Sequence, residues 1–187
     1  MRAVMVEEPY SHRVATEADL PAIVAIYNET IPSRLVTADL EPVSIDSRRA
    51  WFADHRRASR PLWVVEQQGA IAAWLSFNSF YGRPAYQATA EISVYVAGRA
   101  RRQGIAAHLL RAAAAAAPQL GLRTFLGFIF SHNVPSVELF AKFGYEQWGR
   151  LPRVALLDGV ERDVLIFGRR VAGDGAADSA GASGSRA

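Results

Sequence analysis

The chain has 187 residues, of which 50% are hydrophobic and 21% charged, values ordinary for one globular domain with a complete hydrophobic core. It contains no cysteine, which excludes disulfides, thiol nucleophiles and thiolate metal sites, and its four histidines show no metal-ligand spacing. No run of about 20 apolar residues predicts a membrane span, and the N-terminus lacks the apolar segment of a secretory signal, so we expect a cytoplasmic protein with neither a metal nor a membrane partner.

Arginine supplies almost all of the positive charge. The formal net charge is +3, the pI is about 9.6, and Lys142 is the only lysine. This modest excess favours an anionic ligand but does not require nucleic acid. The sequence contains no basic strip interleaved with aromatic residues, no RNA-binding signature and no helix-turn-helix pattern, so nucleic acid is not an expected partner.

Helical signals dominate the first third of the chain. Residues 1–11 predict a flexible leader, after which a capping-box pattern from Thr16 to Asp19 predicts a helix that ends near Asn28. An irregular, proline-marked segment follows. Ser44 then predicts the N-cap of a second helix. We expect this helix to bury Trp51 and Phe52 and to expose its arginines, which are Arg48, Arg49, Arg56 and Arg57.

Strand patterns begin at Leu62. The segments LWVVE and AIAAWLSF flank Gln67-Gln68-Gly69 and predict a β-hairpin. A loop with proline and aromatic residues, NSFYGRPAYQ, leads to TAEISVYV, where apolar and polar residues alternate. This period of two predicts a strand with one apolar face, and it places Glu91, Ser93 and Tyr95 on the opposite face.

A basic, glycine-containing loop follows this strand. It includes Arg101, Arg102 and Gly104, and from Ile105 the apolar residues return at helical spacing, which predicts a long alanine-rich helix that ends near Pro118. Main-chain N–H groups at a helix start hold anions, and the positive end of the helix dipole assists them. We therefore expect this loop to bind the pyrophosphate of a cofactor.

The last third predicts another strand, a short helix and a hairpin. Residues 123–130 predict a buried strand, and Asn133 predicts the N-cap of the short helix. The Asp158-Gly159 turn predicts a final hairpin that joins residues 153–157 to residues 162–169. Residues 172–187 have no bulky apolar group and predict a disordered tail. We therefore expect one domain over residues 12–171.

Two motifs in this order resemble those of the acetyl-CoA-dependent GNAT N-acetyltransferases, over about residues 12–170. The first, RRQGIA from Arg101 to Ala106, resembles the family's (Q/R)-x-x-G-x-(G/A) loop. The second, NVPSVELFAKFGY from Asn133 to Tyr145, resembles N-x-x-(small)-x-x-L-(aromatic)-x-K-x-G-(F/Y). The segments YNETIPSRLVTADLEPVS, RPAY and TAEISVYV are most similar to the phosphinothricin acetyltransferase branch, which acetylates small amino-acid-like amines such as phosphinothricin and methionine sulfoximine.

The resemblance implies an α+β fold with a mixed, mostly antiparallel central sheet flanked by helices, and acetyl-CoA as co-substrate. It implies that β-strand backbone binds the pantetheine arm and that the basic loop binds the pyrophosphate. The implied cofactor-binding residues are Val94, Tyr95, Val96, Arg101, Arg102, Gln103, Gly104, Ile105, Ala106, Ala107, Asn133, Ser136 and Phe140. By the same analogy we expect a homodimer, with apolar residues of the last hairpin as its surface.

Glu91 is the candidate general base, because the resembling branch has a glutamate at this position of TAExxVYV. A carboxylate in a partly apolar cleft can have its pKa raised towards the useful range. The alternative is a structural ion pair with a nearby arginine. A backbone N–H near Val94 or Tyr95 would stabilise the oxyanion, and Tyr95 is the second catalytic candidate.

Phe140 departs from the family pattern. Most relatives carry tyrosine at this position and the phosphinothricin branch usually carries histidine, either of which can donate a proton to the departing thiolate. Phenylalanine cannot. The alternative donors are Tyr95, Ser131, His132 and water, or the thiolate leaves unassisted.

The acceptor site is expected between the irregular segment at residues 28–43 and the RPAY loop. Arg34 or Arg83 is the candidate to bind a substrate carboxylate through two hydrogen bonds. Tyr27, Trp74 and Tyr86 are the candidate walls, although each aromatic side chain is also explained by packing in the core or at its rim.

The sequence thus predicts an enzyme that acetylates the amine of a small amino-acid-like molecule. One alternative is a protein N-terminal or lysine acetyltransferase, which would need an open groove for a peptide. The other is a CoA-binding sensor or scaffold with weakened catalysis. Phe140 keeps this second alternative open, and the presence of Glu91 disfavours it.

Overall fold

A computed structural model describes residues 9–171, so residues 1–8 of the predicted leader and the whole predicted tail lie outside the described residues. The helices are α1 Leu20–Asn28, α2 Ile45–Asp54, α3 Ile105–Ala116 and α4 Val134–Lys142. The strands are β1 Arg13–Val14, β2 Leu62–Gln67, β3 Ala70–Ser79, β4 Thr89–Val96, β5 Thr124–Phe130, β6 Glu146–Leu157 and β7 Val160–Arg170.

The seven strands form one mixed sheet in the order β1-β2-β3-β4-β5-β7-β6. Each neighbouring pair is antiparallel except β4 with β5, which are parallel and are connected through α3. A parallel pair requires a long crossover connection, and α3 supplies it. The predicted α+β class, with a mostly antiparallel sheet flanked by helices, is confirmed.

Side-chain caps start the helices where the sequence predicts them. The Ser44 hydroxyl accepts a hydrogen bond from the N–H of Ser47 (3.1 Å), and the Asn133 side chain accepts one from Ser136 (3.3 Å). Before α1, the carboxylate of Asp19 accepts the N–H of Thr16 at 2.7 Å. Each bond satisfies a main-chain donor that a helix start leaves unpaired.

The final hairpin is longer than predicted. Its first strand begins at Glu146 instead of residue 153. The register between β6 and β7 shifts twice, between Gln147 and Gly149 and between Leu151 and Ala155. Such bulges break the strict alternation from which a strand is predicted, so the first half of β6 gave no strand signal.

Helices cover both faces of the sheet. On one face, Trp74 of β3 donates its indole N–H to the carbonyl of Ile23 in α1 at 3.1 Å. On the opposite face lie α3 and α4, where the Phe140 ring packs on Gly127 of β5 so closely that a Cβ there would come within 2.5 Å of the ring. Ile92 of β4 is buried on this second face, as the alternation predicts.

The strands β4 and β5 separate after a short pairing. Thr89, Ala90 and Glu91 pair with the start of β5, and beyond Glu91 the two strands pair only with β3 and β7 respectively. One edge of β4 from Ile92 to Val96 therefore has no partner strand in the described part of the chain. The result is a wedge that opens in the middle of the sheet.

Candidate active site

The wedge between β4 and β5 holds a narrow cleft of about 50 Å³, which we call the wedge cleft. Because the strands diverge, side chains from both faces of β4 reach it. Ile92 and Val94 come from one face, and Ser93 and Tyr95 from the other. The remaining lining residues are Val36, Phe128, Ile129, Asn133, Ser136 and Phe140. Five residues predicted to bind a cofactor therefore lie together: Val94, Tyr95, Asn133, Ser136 and Phe140.

The basic loop lies at the N-terminus of α3 and presents unpaired main-chain donors. Arg102 and Gly104 have positive φ angles of 62° and 87°, and the first intrahelical bond runs from His108 N–H to the Gly104 carbonyl at 3.0 Å. The N–H groups of residues 105–107 therefore precede the hydrogen-bonded part of the helix. A Cβ on Gly104 would meet no atom within 4 Å, so this side of the loop is open. The geometry fits a pyrophosphate.

Two side chains, those of Gln103 and Tyr10, stabilise the loop through hydrogen bonds to its main chain. The Gln103 amide donates to the carbonyl of Arg99 at 3.1 Å, and the hydroxyl of Tyr10 donates to the carbonyl of Gln103 at 2.6 Å. Tyr10 thus belongs to the packed structure although the sequence assigns it to the leader. Gln103 can offer its main chain to a ligand, whereas its side chain maintains the loop. Arg101 and Arg102 stay exposed beside the open face.

A second cavity, of about 180 Å³, lies between the sheet and the two helices α1 and α2, and we call it the aromatic cavity. Ser93 and Tyr95 line both this cavity and the wedge cleft, so the two spaces meet at β4. The Tyr95 ring is stacked on Trp74, with centroids 4.3 Å apart, and lies 5.2 Å from Tyr27. The other lining residues are Ile23, Val24, Val43, Arg48, Trp51, Ser76 and Asn78. Tyr27 and Trp74, predicted as acceptor walls, are brought together here.

Arg48 places a positive charge in the aromatic cavity. Its guanidinium lies 4.6 Å from the centroid of the Tyr27 ring and pairs with Asp39 at 2.9 Å. The Tyr27 hydroxyl also donates to Asp39, at 2.5 Å, so the three side chains fix one another. A guanidinium has five N–H donors, and the contact with Asp39 uses one. The remaining donors can bind a carboxylate.

The sequence prediction missed Arg48, which it placed on the exposed side of α2. The signal was present, because Arg48, Trp51, Phe52 and His55 follow the i, i+3, i+4, i+7 spacing of one helix face. Trp51 and Arg48 line the cavity, and Phe52 and His55 are buried. An arginine on the apolar stripe of an amphipathic helix is the pattern that would have identified it.

Glu91 lies at the apex of the wedge. It is the last β4 residue that pairs with β5, and on the other side it faces Asn78, which lines the aromatic cavity. Within residues 9–171, no hydrogen bond or ion pair reaches its carboxylate. The alternative role of Glu91, a structural ion pair with an arginine, is therefore not observed among these residues. Burial raises the pKa of Glu91 above its ordinary value. An unpaired carboxylate with a raised pKa is suited to accept a proton.

The candidate proton donors differ in position. Phe140 lines the wedge cleft and packs against Tyr145, with ring centroids 4.7 Å apart, but has no proton to give. His132 donates its Nε2 proton to the carbonyl of Arg34 at 2.8 Å, and Ser131 lines neither the wedge cleft nor the aromatic cavity. Tyr95 lines both. Burial raises the pKa of Tyr95 far above its usual range, so its hydroxyl stays protonated at neutral pH and can donate a hydrogen bond.

Arg34 organises the segment between α1 and α2. Its Nε donates to Asp158 at 2.8 Å, and its Nη1 donates to the carbonyl of Leu40 at 2.8 Å. Next to it, the carbonyl of Leu35 accepts the Asn133 amide at 3.0 Å. These bonds place Val36 against the wedge cleft. The guanidinium of Arg34 thus stabilises the segment between α1 and α2, and the structure does not bring it to the aromatic cavity.

Arg83 and Tyr86 line a third cavity, of about 630 Å³, which we call the arginine cavity. It lies between the RPAY loop, the end of α2 and the turn after α3. The structure therefore does not bring Arg83 and Tyr86 together with Tyr27 and Trp74.

In the described part of the chain no three histidine, aspartate or glutamate side chains form a metal-binding group, and no helix is long and apolar enough to cross a membrane.

Comparison with known proteins agrees with this geometry. A profile described as the acetyltransferase (GNAT) family matches residues 21–145. "Putative phosphinothricin acetyltransferase YwnH" of Bacillus subtilis is 50% identical over 160 residues, which are 85% of this chain and 98% of that protein. The L-methionine sulfoximine/L-methionine sulfone acetyltransferase of Pseudomonas aeruginosa is 32% identical over 145 residues, 77% of this chain and 84% of its own. A phosphinothricin acetyltransferase structure from Sinorhizobium meliloti, in complex with AcCoA, has a TM-score of 0.81 at 26% identity and covers 87% of this chain and 89% of that chain.

Replacing Gly104 with alanine tests the open face of the loop. We expect a loss of about 1 kcal/mol in the free energy of unfolding, because only glycine adopts a φ of 87° without strain. We also expect acetyl-CoA binding to weaken about tenfold or more, because the new Cβ occupies the face that a phosphate approaches. Denaturant unfolding and calorimetric titration measure the two effects.

Gly121 provides the matched control. Its φ is 69°, and a Cβ there also meets nothing within 4 Å, but it lies in the turn after α3. Gly121→Ala should lose similar stability and bind acetyl-CoA normally. Equal weakening of binding in both variants would mean that general destabilisation, and not the loop, is responsible.

Replacing Glu91 with glutamine should stabilise the fold at neutral pH. Because burial raises the folded-state pKa of Glu91, its ionised form destabilises the folded protein above that pKa. Below about pH 4.3, the ordinary glutamate value, both folded and unfolded states are protonated and this penalty disappears. The Tm advantage of Glu91→Gln should therefore shrink as pH falls. Glu138→Gln, at an exposed position of α4, is the control. An advantage independent of pH would contradict the charge explanation.

Proposed function

The chain belongs to the acetyltransferase (GNAT) family and is an acetyl-CoA-dependent N-acetyltransferase, and from this premise we propose that its acceptor is the amine of a small amino-acid-like molecule of the phosphinothricin or methionine sulfoximine type. The observation that carries the proposal is the aromatic cavity, which contains Arg48 and meets the wedge cleft at Tyr95. A small cavity with aromatic walls and one cationic group matches a compact substrate with a carboxylate.

The cofactor residues follow from the fold. Acetyl-CoA supplies the acetyl group as a thioester. We assign its pyrophosphate to the N–H groups of residues 105–107, with Arg101 and Arg102 as charged neighbours. The unpaired edge of β4 offers main-chain donors and acceptors to the amide groups of the pantetheine arm.

The charge of Arg48 and the volume of the aromatic cavity support our assignment of the acceptor-binding residues. Arg48 binds the substrate carboxylate through the guanidinium donors that Asp39 leaves free. Tyr27, Trp51 and Trp74 enclose the side chain of the substrate. A volume of about 180 Å³ is below the range of about 300–1,000 Å³ for drug-sized ligands, which favours a free amino acid over a peptide.

Glu91 and Tyr95 then carry the proton chemistry. Attack by the neutral amine on the thioester carbonyl forms the C–N bond and breaks the C–S bond, and the carboxylate of Glu91 accepts the proton that the nitrogen loses. Tyr95, at the junction of the two spaces, donates a hydrogen bond to the negative charge that develops there. Phe140 has no proton to give, and among the described residues Tyr95 serves the oxyanion instead, so the thiolate leaves and takes its proton from water.

Release of CoA thiol in the presence of acetyl-CoA and a panel of amines tests this function. We expect turnover with L-methionine sulfone or phosphinothricin, and none with a lysine-containing peptide. Glu91→Gln should lower kcat/KM by about 10²–10⁴-fold. The wild-type pH–rate profile should fall on the acid side, below the raised pKa of Glu91, and the variant should lack that limb. Turnover of the peptide alone, or of no amine although acetyl-CoA binds, would contradict the proposal.

Arg48→Gln tests the carboxylate assignment. A charged hydrogen bond contributes about 1.5–3 kcal/mol, so kcat/KM for L-methionine sulfone should fall about 10- to 100-fold. Turnover of the corresponding amine without a carboxylate should be low in the wild type and change little in the variant. Arg49→Gln is the control, because Arg49 is exposed on the same helix and pairs with Asp46. Equal losses for both amines would remove Arg48 from this role.

A further inference from the structure

The proposed base, Glu91, does not itself line the spaces where the two substrates meet. It is among the lining residues of neither the wedge cleft nor the aromatic cavity, although it lies on the same face of β4 as Ser93 and Tyr95. The acceptor amine has to reach the thioester where the two spaces join. Because a general base acts within about 2.6–3.2 Å of the proton it removes, or through one bridging group, the geometry calls for a bridge between the nitrogen and the carboxylate.

Two hydroxyl groups lie at the junction of the wedge cleft and the aromatic cavity. Of the described residues, only Ser93 and Tyr95 line both spaces. Burial raises the pKa of Tyr95 far above its usual range, so Tyr95 keeps its proton and serves the oxyanion. The hydroxyl of Ser93 differs, because a serine has one donor and two acceptor sites and can accept one proton while it passes on another.

The hydroxyl of Ser93 is available for such a transfer. Its side chain makes no hydrogen bond to any residue of the range 9–171. Ser76, which pairs with Ser93 across β3 and β4, differs, because its Oγ accepts a hydrogen bond from the Asn78 amide at 3.1 Å. Ser76 is also buried and lines only the aromatic cavity. Of these two serines, Ser93 is therefore the one that reaches the junction with a hydroxyl not yet engaged.

Glu91 lies within reach of Ser93 along the strand. Residues two apart on a strand project from the same face and are separated by about 6.5 Å. The carboxylate of a glutamate lies two bonds beyond Cβ, and that of Glu91 is not held by a bond to any described residue. It can therefore turn towards the Ser93 hydroxyl. Tyr95 is the next residue on the same face, so Ser93 lies between the base and the oxyanion donor.

We propose that Ser93 is a catalytic residue that relays the proton from the acceptor amine to Glu91, a role that rests on the proposed function. As the nitrogen attacks the thioester carbonyl and the C–N bond forms, its proton passes to Oγ of Ser93. The hydroxyl proton of Ser93 passes at the same time to the carboxylate of Glu91. The serine is thus neutral before and after the step, and the C–S bond then breaks as the thiolate departs.

Two replacements of nearly equal shape test the relay. Ser93→Thr keeps the hydroxyl, and Ser93→Val lacks it. With saturating acetyl-CoA and the amine of highest turnover in the panel, Ser93→Val should have a kcat about 10- to 100-fold below that of Ser93→Thr. Ser93→Thr should stay within about threefold of the wild type, and the KM for acetyl-CoA should change little in either variant. Thermal unfolding checks that both variants fold.

The pH–rate profile and a double variant separate a relay from a structural role. Ser93→Val should lose the acid limb of the profile, as Glu91→Gln does, because a base without its bridge no longer controls the rate. Groups that act in one step also give non-additive losses, so the variant with both changes should be hardly slower than Glu91→Gln alone. A serine with only a structural role would lower kcat, keep the acid limb and multiply the loss.

Thr89→Val is the matched control. Thr89 precedes Glu91 by two residues on the same face of β4 and lines neither the wedge cleft nor the aromatic cavity, so this variant should keep both kcat and the acid limb. An equal loss in Thr89→Val, or full activity in Ser93→Val, would overturn the relay while leaving Glu91 as the base. Full activity and an unchanged acid limb in Glu91→Gln would overturn the proposed base and the relay together.

Discussion

The separation of β4 from β5 is the constraint on which the active site depends. Backbone groups inside a sheet must be paired, and after Glu91 one edge of β4 loses its partner strand while the other stays bonded to β3. A ligand with its own amide groups can pair with that edge, and pantetheine is such a ligand. The helix that connects the two strands begins beside the wedge, so its unpaired N–H groups lie where the phosphates of the same ligand are needed. One topological feature, a parallel pair that pairs briefly and then diverges, therefore supplies both halves of the cofactor site that we propose.

The period of two along β4 separates structural and chemical roles. Ile92 packs into the core, whereas Glu91, Ser93 and Tyr95 face the helices α1 and α2, where the aromatic cavity lies. This arrangement leaves the carboxylate of Glu91 partly buried and without a partner among the described residues. A carboxylate that is partly buried and unpaired destabilises the fold, and an ion pair with an arginine would relieve it. Such a pair would also lower its pKa and reduce its strength as a base. The lack of a partner is thus unfavourable for stability, and it suits the role of general base that we propose for Glu91.

Local signals predicted most of the fold and the position of the basic loop at the start of α3. The caps at Ser44 and Asn133, the alternation of β4 and the glycine at position 104 each act within a few residues, so the sequence displays them directly. The acceptor region was harder to predict. Whether an arginine such as Arg34 or Arg48 reaches a cavity depends on which elements pack around it, and Arg34 is bonded instead to Asp158, far away in sequence. The positions of these side chains in space depend on tertiary contacts that no local pattern contains.

We propose that arginine contributes to anion binding in two environments, the basic loop before α3 and the aromatic cavity, and each environment suits a different ligand. At the cofactor loop the arginines are exposed, and main-chain N–H groups provide the oriented contacts, which fits a long ligand with a fixed pyrophosphate. In the aromatic cavity, the carboxylate of Asp39 already neutralises the charge of Arg48. A single substrate carboxylate can therefore accept the remaining N–H donors of Arg48 without adding a large excess of charge. This difference in charge compensation separates the two proposed ligands, a zwitterionic acceptor at Arg48 and the pyrophosphate of the cofactor at the loop.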